Sequence, residues 1–175
     1  INFNVIDTNL QFKRPPLPLD ESTTMARFAT HEDSVALKMI ARQEFVHNRF
    51  HRDPEIDNHI ALQIYEKWVT NFFTGKRGKW MVVIEDDQGI GGFLLLLYDE
   101  LECNLIIDLI AVASRCRNKG LAYSMVSFAL NECLESTTAM KVGTQISNLK
   151  SISFYIGLDF KFMSATYVLH LHLKR

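Results

Sequence analysis

"ECNLIIDLIAVASRCRNKGLAYSMVSFAL", residues 102–130, places an apolar run, a basic loop and a helical apolar pattern in direct succession. The run at 102–112 predicts a strand, and the pattern from Leu121 to Leu134 predicts a helix packed on a sheet. Between them, two arginines and a lysine precede Gly120. Because the first N–H groups of a helix are unpaired and lie at the positive end of its dipole, this junction favours binding of a phosphate group; a solvated loop is the plainer alternative.

The composition limits the class of protein. A chain of 175 residues with 47% hydrophobic content can bury one sizeable core. Its net charge of -1 gives no overall field that would attract nucleic acid or an anionic membrane. Three cysteines without metal-ligand spacing predict a reducing setting and no bound metal. Since no run is long enough to span a bilayer and the N-terminus lacks a signal-peptide pattern, we expect a cytoplasmic protein.

The order of elements predicts the fold class. A Pro-rich stretch at 14–22 separates an N-terminal arm or extra strand, residues 1–24, from a main domain, residues 25–175. In chain order, that domain is predicted to hold a strand at 25–30, a helix at 31–45, a polar loop, a helix from Pro54 to before Gly75, a hairpin turning at 86–89, a strand at 102–112, a helix at 121–134, a strand at 140–145, a helix at 148–156 and a closing strand pair at 160–163 and 166–173. The long helix carries an apolar residue at every fourth position: Ile56, Ile60, Ile64, Trp68 and Phe72. Hairpins followed by a β-α-β unit predict an α/β (α+β) fold with a mixed, mostly antiparallel twisted sheet and helices on both faces.

Three pieces of the sequence resemble the acetyl-CoA signature of the GNAT N-acetyltransferase superfamily. They are the strand "IIDLIAV", the R-x-x-G-x-A pattern from Arg117 to Ala122, and "NLKSISFYIGLDF" about thirty residues further on. The resemblance covers the chain from residue 25 to its end. It implies the GNAT acyl-CoA N-acyltransferase fold and an enzyme that transfers acetyl from acetyl-CoA to a primary amine by direct attack in a ternary complex.

The same resemblance implies where acetyl-CoA is held. The N–H groups of residues 117–122 would bind the pyrophosphate, and the end of the preceding strand would bond the pantetheine arm like an added strand. From the residues alone, Gly120 has no side chain to block a diphosphate, small Ala122 keeps the first turn open, and Arg117 and Lys119 add charge. The implied cofactor-binding residues are Ile110, Ala111, Val112, Arg117, Asn118, Lys119, Gly120, Leu121, Ala122 and Asn148.

The second motif carries the implied catalytic acid. Asn148 and Tyr155 are seven residues apart and so share one face of a helix. The resemblance implies that Asn148 contacts the cofactor and that Tyr155 donates a proton to the departing thiolate; a helix cap and a core aromatic residue are the alternatives. The family usually has Leu-Gly-Phe after this helix, whereas Asp159 replaces the glycine here. Asp tolerates the left-handed turn less well than glycine, but tolerates it.

Asp108 is the leading candidate for the general base. It is a charged residue in an otherwise apolar strand, beside the presumed acetyl position, where a carboxylate could take a proton from an amine. A solvent-facing or hydrogen-bonded strand residue is the alternative. An ordered water, or His51, Asp53 or Glu85, would be weaker candidates, and His170 reads most simply as a strand histidine.

A narrower resemblance concerns the acceptor. "NVIDTNLQF", "NRFHRDPEI", "YEKWV", "VGTQISN" and "YVLHLHL" resemble the GNAT branch that acetylates nucleotide-linked deoxyamino sugars, of the TDP-fucosamine acetyltransferase type. That implies a small-molecule amine as partner, with Arg49, His51 and Asp53 binding the sugar nucleotide; the same loop could merely cap the next helix. A peptide or protein N-terminus is the rival acceptor, and a non-catalytic CoA-binding module is the rival class. The sequence permits a homodimer.

Overall fold

The computed structural model describes residues 3–20, 26–45, 48–133 and 137–172. The strands are β1 Phe3–Arg14, β2 Ala26–Phe28, β3 Trp80–Asp86, β4 Gly89–Asp99, β5 Asn104–Val112, β6 Ala139–Gln145 and β7 Lys161–Leu171. The helices are α1 Ser34–Glu44, α2 Arg49–Arg52, α3 Asn58–Phe73, α4 Leu121–Glu132 and α5 Leu149–Gly157. Short 3-10 turns at His31–Asp33 and Ser114–Cys116 precede α1 and follow β5.

The strands form one sheet in the order β2-β3-β4-β5-β6-β1-β7. Among the strands described, β5 and β6 are the one parallel pair, and the others run antiparallel to their neighbours. The N-terminal segment contributes β1, which lies between β6 and β7. The predicted mixed, mostly antiparallel sheet is confirmed.

Each face of the sheet is covered by a hydrophobic core. Leu94 and Leu96 of β4 face α4 and α5, whereas Phe93 and Leu95 face α1 and α3. This alternation follows from the two-residue period of a strand, and because both faces are covered, all four side chains are fully buried. We call these two layers the α4-side core and the α3-side core.

The structure corrects the predicted start and inner face of α3. The helix begins at Asn58, four residues after Pro54, because Asp57 caps it by accepting the N–H of His59 at 2.7 Å. Its buried residues are Ala61, Tyr65 and Val69, each one position after a member of the predicted apolar series. Ile60 of that series is 54% exposed.

Two further predictions were wrong in detail. The loop expected before α3 contains the single turn α2, which forms because Asn48 Oδ1 accepts the N–H of Phe50 at 2.9 Å and also that of His51. The closing strand pair is one continuous strand, β7. Ser164 and Ala165, where we expected a break, pair in register with Gln11 and Leu10 of β1, and the irregularity in the ladder lies at Met163.

No helix in the described ranges combines the length and apolar character that crossing a bilayer would require.

Candidate active site

The sheet opens between β5 and β6. Their ladder runs only from Asn104↔Ala139 to Ile107↔Val142, although β5 continues to Val112 and β6 to Gln145. The last five residues of β5 therefore have no strand partner on this side within the described chain. Because the two strands are parallel, the segments after both strands, leading to α4 and to α5, begin at the same edge of the sheet. The opening leads to that edge.

A β-bulge at Asp108 lies where the opening begins. Leu96 pairs with Ile107 and Leu95 with Leu109, so Asp108 is an extra residue on β5. Before the bulge, Leu105 and Ile107 face the α4-side core; after it, Leu109 and Ala111 face the α3-side core. The bulge thus reverses which face each later residue of β5 meets.

The loop from β5 to α4 presents backbone N–H groups to this edge. Asn118 and Gly120 adopt left-handed conformations, with φ of 61° and 77°. In the described part of the chain, no acceptor takes up the N–H groups of residues 118–122. A Cβ added at Gly120 would meet nothing within 4 Å, so the space in front of the helix terminus is open. Such a terminus can bind an anionic group.

Two acidic residues hold this loop in place. Glu44, at the end of α1, accepts the N–H of Ser114 at 2.8 Å and pairs with Arg117. Asp86, in the β3–β4 hairpin, pairs with Arg115 and lies 4.0 Å from Lys119 Nζ. Of the basic residues predicted to bind the cofactor, Arg117 is therefore paired with an acid, whereas Lys119 makes only a long contact and is 57% exposed.

Cys116 anchors the same loop from within the core. Its Sγ–H donates to Asp86 Oδ2 at 2.9 Å, and that bond, together with Arg115, lowers the pKa of Asp86. Burial raises the pKa of the Cys116 thiol, so this side chain is an internal donor and not a reactive thiolate.

Asn148 and Tyr155 lie on α5, which follows β6. Asn148 caps the helix, its Oδ1 accepting the N–H of Ser151 at 3.2 Å, which leaves its side-chain N–H groups for a ligand. Tyr155 is buried in the α4-side core against Phe154 and Phe160, with ring centroids 5.3 and 5.4 Å apart. Burial raises its pKa and keeps the phenol protonated. No described residue forms a hydrogen bond with the Tyr155 hydroxyl.

The turn after α5 has the expected geometry. Asp159 adopts φ of 62°, so the left-handed turn that glycine normally supplies is present. The N–H of Phe160 bonds the carbonyl of Tyr155 at 3.0 Å and closes the helix.

Asp108 forms an ion pair that the sequence did not indicate. Arg77 donates from Nε at 2.6 Å and from Nη2 at 2.7 Å to the two carboxylate oxygens. The guanidinium stacks on Trp68, 3.8 Å from the ring centroid, which fixes its plane. Burial raises the pKa of Tyr65, beside this pair, to about 12; Arg49 and Arg77 oppose that shift and Asp108 adds to it. The α3 side of the opening thus holds paired charges among aromatic rings.

The three residues predicted to bind the acceptor lie on or directly after α2 and have different partners. Arg49 is half-buried, with its guanidinium 4.8 Å from the Phe50 ring centroid, and no described carboxylate pairs with it. The His51 N–H donates to the Asn48 cap. Asp53 is buried and accepts hydrogen bonds from His170 and His172. Of the other base candidates, Glu85 pairs with Arg27 two strands from β5.

Arg77, Glu44 and Asp86 belong to this site, although the sequence did not indicate them. Each acts across the fold: Arg77 is 31 positions from Asp108, and Glu44 is 73 from Arg117. The basic segment "GKRGK" at 75–79 was the one signal for Arg77, and it equally suits an exposed loop.

The comparisons with known proteins assign the family. The sequence model of the Acetyltransferase (GNAT) family matches residues 40–160, which is more than half of the chain. The protein belongs to the GNAT acetyltransferase family. The predicted family and fold class are confirmed.

The individual proteins that resemble this chain share a quarter or less of its sequence. Spore coat polysaccharide biosynthesis protein SpsD of Bacillus subtilis (strain 168) is 25% identical over 165 residues, which are 93% of this chain but 56% of that protein. A putative GNAT acetyltransferase of Novosphingobium aromaticivorans superposes with a TM-score of 0.67 at 14% identity, over 93% of this chain and 64% of its own. The ribosomal-protein-S18-alanine N-acetyltransferase of Escherichia coli gives 0.59 at 13% identity, over 81% and 80%. The two structures share the fold.

Proposed function

We infer that the protein transfers an acetyl group from acetyl-CoA to a primary amine. The observation that carries this inference is the opening between β5 and β6, which leads to the unpaired N–H groups before α4. The pantetheine arm of acetyl-CoA can bind along an unpaired strand edge, and its diphosphate can bind at the N-terminus of a helix. This member of the family has both features, at β5 and at α4.

Residues of this chain would hold acetyl-CoA along that line. Ile110 to Val112 offer the free edge of β5; the N–H groups of 118–122 have no described acceptor, and the space at Gly120 is open. A side chain at Gly120 would occupy that space, so the site fits a group that approaches the backbone closely. Asn148 has side-chain N–H groups to donate from the other side of the opening.

The thioester of acetyl-CoA supplies an activated acetyl group. The amine attacks the carbonyl carbon, so a C–N bond forms and the C–S bond breaks. Tyr155, kept protonated by burial, donates its proton to the sulfur as the thiolate leaves. The amine proton passes to Asp108 or to a water; each carboxylate oxygen of Asp108 accepts one hydrogen bond from Arg77 and keeps a second lone pair for a proton. Both substrates are bound before transfer, so no acyl-enzyme is formed.

We propose a nucleotide-linked deoxyamino sugar as the acceptor. The SpsD relative is named for polysaccharide biosynthesis, which supports a sugar. On the α3 side of the opening, the rings of Phe50 and Trp68 offer apolar contacts, and Arg49 has no described acidic partner that would compete with a nucleotide phosphate. A peptide N-terminus, the rival acceptor, would have less use for a free arginine.

An acceptor panel tests this function. Purified protein and acetyl-CoA are combined with nucleotide-linked deoxyamino sugars, with the matched hydroxyl sugars, and with peptides that have free N-termini, and free thiol release is followed. We expect release that depends on the amino sugar and is absent with its hydroxyl counterpart. Release with peptides alone would assign the rival acceptor. Binding of acetyl-CoA without release for any amine would leave a CoA-binding module.

A further inference from the structure

We propose that Asp53, His170 and His172 form a binding site for a divalent transition-metal ion of the zinc type. This site goes beyond the proposed acetyl transfer, in which these three residues have no part. His172 Nε2 lies 2.8 Å from Asp53 Oδ2, and His170 Nδ1 contacts the same oxygen. One ligand atom from each of the three residues lies within 4.8 Å of the others.

The ligand set matches the chemistry of zinc. Imidazole nitrogen and carboxylate oxygen both bind Zn²⁺ at about 2.0 to 2.2 Å, so the ligand atoms of one tetrahedral ion lie about 3.4 Å apart. Small side-chain rotations would bring the three atoms from their hydrogen-bonded positions to this spacing. His170 lies at the end of β7 and His172 directly follows the strand; being two residues apart in extended chain, they face the same side. Three protein ligands leave one coordination position for water.

The surroundings of Asp53 favour neutralisation of its carboxylate by a bound cation. The Asp53 side chain is 0% exposed, and a buried carboxylate needs a compensating charge. The neighbouring Arg52 does not supply it, because its guanidinium lies 3.4 Å from Asp7 instead. Asp53 Oδ1 accepts the N–H of Glu55 at 2.9 Å, which orients Oδ2 towards the histidines.

The outer side of the cluster is open enough for an ion to enter. The side chains of His170 and His172 are 17% and 31% exposed. Phe50 stacks on His170 with centroids 6.1 Å apart and covers the inner side. A bound ion would join the α2 segment, which carries Arg49, to the end of β7. The spacing of 117 residues between Asp53 and His170 hides this site from the sequence.

Zinc titration of the chelator-treated full chain tests the proposal. At about one hundred times the dissociation constant we expect a rise in melting temperature of roughly 5 °C or more and one ion per chain in native mass spectra. Hydrogen exchange should slow at 48–53 and 168–172. Because each variant removes a direct ligand, His172→Asn and Asp53→Asn should weaken zinc binding by at least about 100-fold. His59→Asn, which removes an exposed histidine of α3, is the matched control and should bind as the wild type does.

His172 follows the last residue of β7, so its variant tests the site even where Asp53→Asn disturbs folding. A wild type that binds no zinc would overturn the proposal. So would zinc binding that is equal in His172→Asn and in the wild type, because the ion would then sit elsewhere on the surface.

Discussion

At Asp108 the strand β5 carries one residue more than its neighbour β4 opposes. That extra residue changes which of the two cores each later side chain of β5 faces. It is also the first residue of β5 that does not pair with β6. Arg77 and Trp68 hold its carboxylate in one orientation. The negative charge is therefore fixed at the mouth of the opening, where an amine would enter.

Asp108→Asn tests whether this carboxylate takes the amine proton. The variant keeps the shape but cannot serve as base, so we expect kcat/KM to fall by about 10² or more and the acidic limb of its pH profile to flatten. Asp87→Asn, in the exposed hairpin turn, is the control. An unchanged profile at wild-type rate would assign the proton to water or to the loop at His51.

Tyr155 is the residue that separates an enzyme from a binding module. A positioned acid contributes about 10² to 10⁴ in rate, so Tyr155→Phe should lower kcat by that factor while the affinity for acetyl-CoA is kept. Since no described residue bonds the hydroxyl, the free energy of unfolding should change little. Tyr167→Phe, on an exposed tyrosine of β7, should leave kcat unchanged. Full turnover in Tyr155→Phe would contradict the acid role.

At the scale of elements, an ion pair ties the edge strand β2 to the start of α1. Arg27 donates to both oxygens of buried Asp33, at 2.8 and 3.0 Å, and the Thr30 N–H donates to Oδ2 at 2.7 Å. The bonds from Arg27 lower the pKa of Asp33; burial opposes the shift and Thr30 adds to it. A carboxylate whose pKa is lowered by folding stabilises the fold above its unfolded pKa, and that contribution is lost as the pH falls through the folded pKa.

Asp33→Asn should therefore lower the free energy of unfolding by about 1 to 3 kcal/mol near neutral pH. The difference from the wild type should stay constant down to about pH 5 and shrink below about pH 4 as the wild-type carboxylate is protonated. Urea unfolding across this range measures it, with Glu32→Gln, an exposed neighbour, as the control. A difference that grows on acidification would contradict the assigned role of the pair.

The elements that the sequence predicted best are those with strong local signals. Gly120 marked the start of α4 at the correct residue, and the Asp-Gly content of 86–89 marked the hairpin. The inner face of α3 was missed by one residue, because Ala61 carries little apolar signal and Tyr65 was not in the series. Local pattern cannot decide which of two adjacent apolar positions the tertiary packing buries.

For the whole molecule, the sequence predicted the class of sheet, the family, and a junction between β5 and α4 that begins the helix after Gly120, since the junction and the family rest on contiguous motifs. It did not predict the partners that fix the site. Glu44 reaches the loop at 113–120 from α1, and His170 and His172 reach Asp53 from the other end of the chain. Such pairs form only because the fold brings distant segments together. Single acidic residues and histidines in a sequence do not show which segments will meet.

A thermal shift measurement shows whether acetyl-CoA binds in the opening before α4. At about one hundred times its dissociation constant, acetyl-CoA should stabilise the wild type by about 2.7 kcal/mol, a rise in melting temperature of about 5 to 10 °C. Gly120→Glu places a charged side chain in the diphosphate space and should abolish the rise. Gly75→Glu, at a second left-handed glycine with open space around it, adds the same charge and strain after α3 and should retain the rise. An equal rise in Gly120→Glu and the wild type would place the cofactor elsewhere and contradict the account.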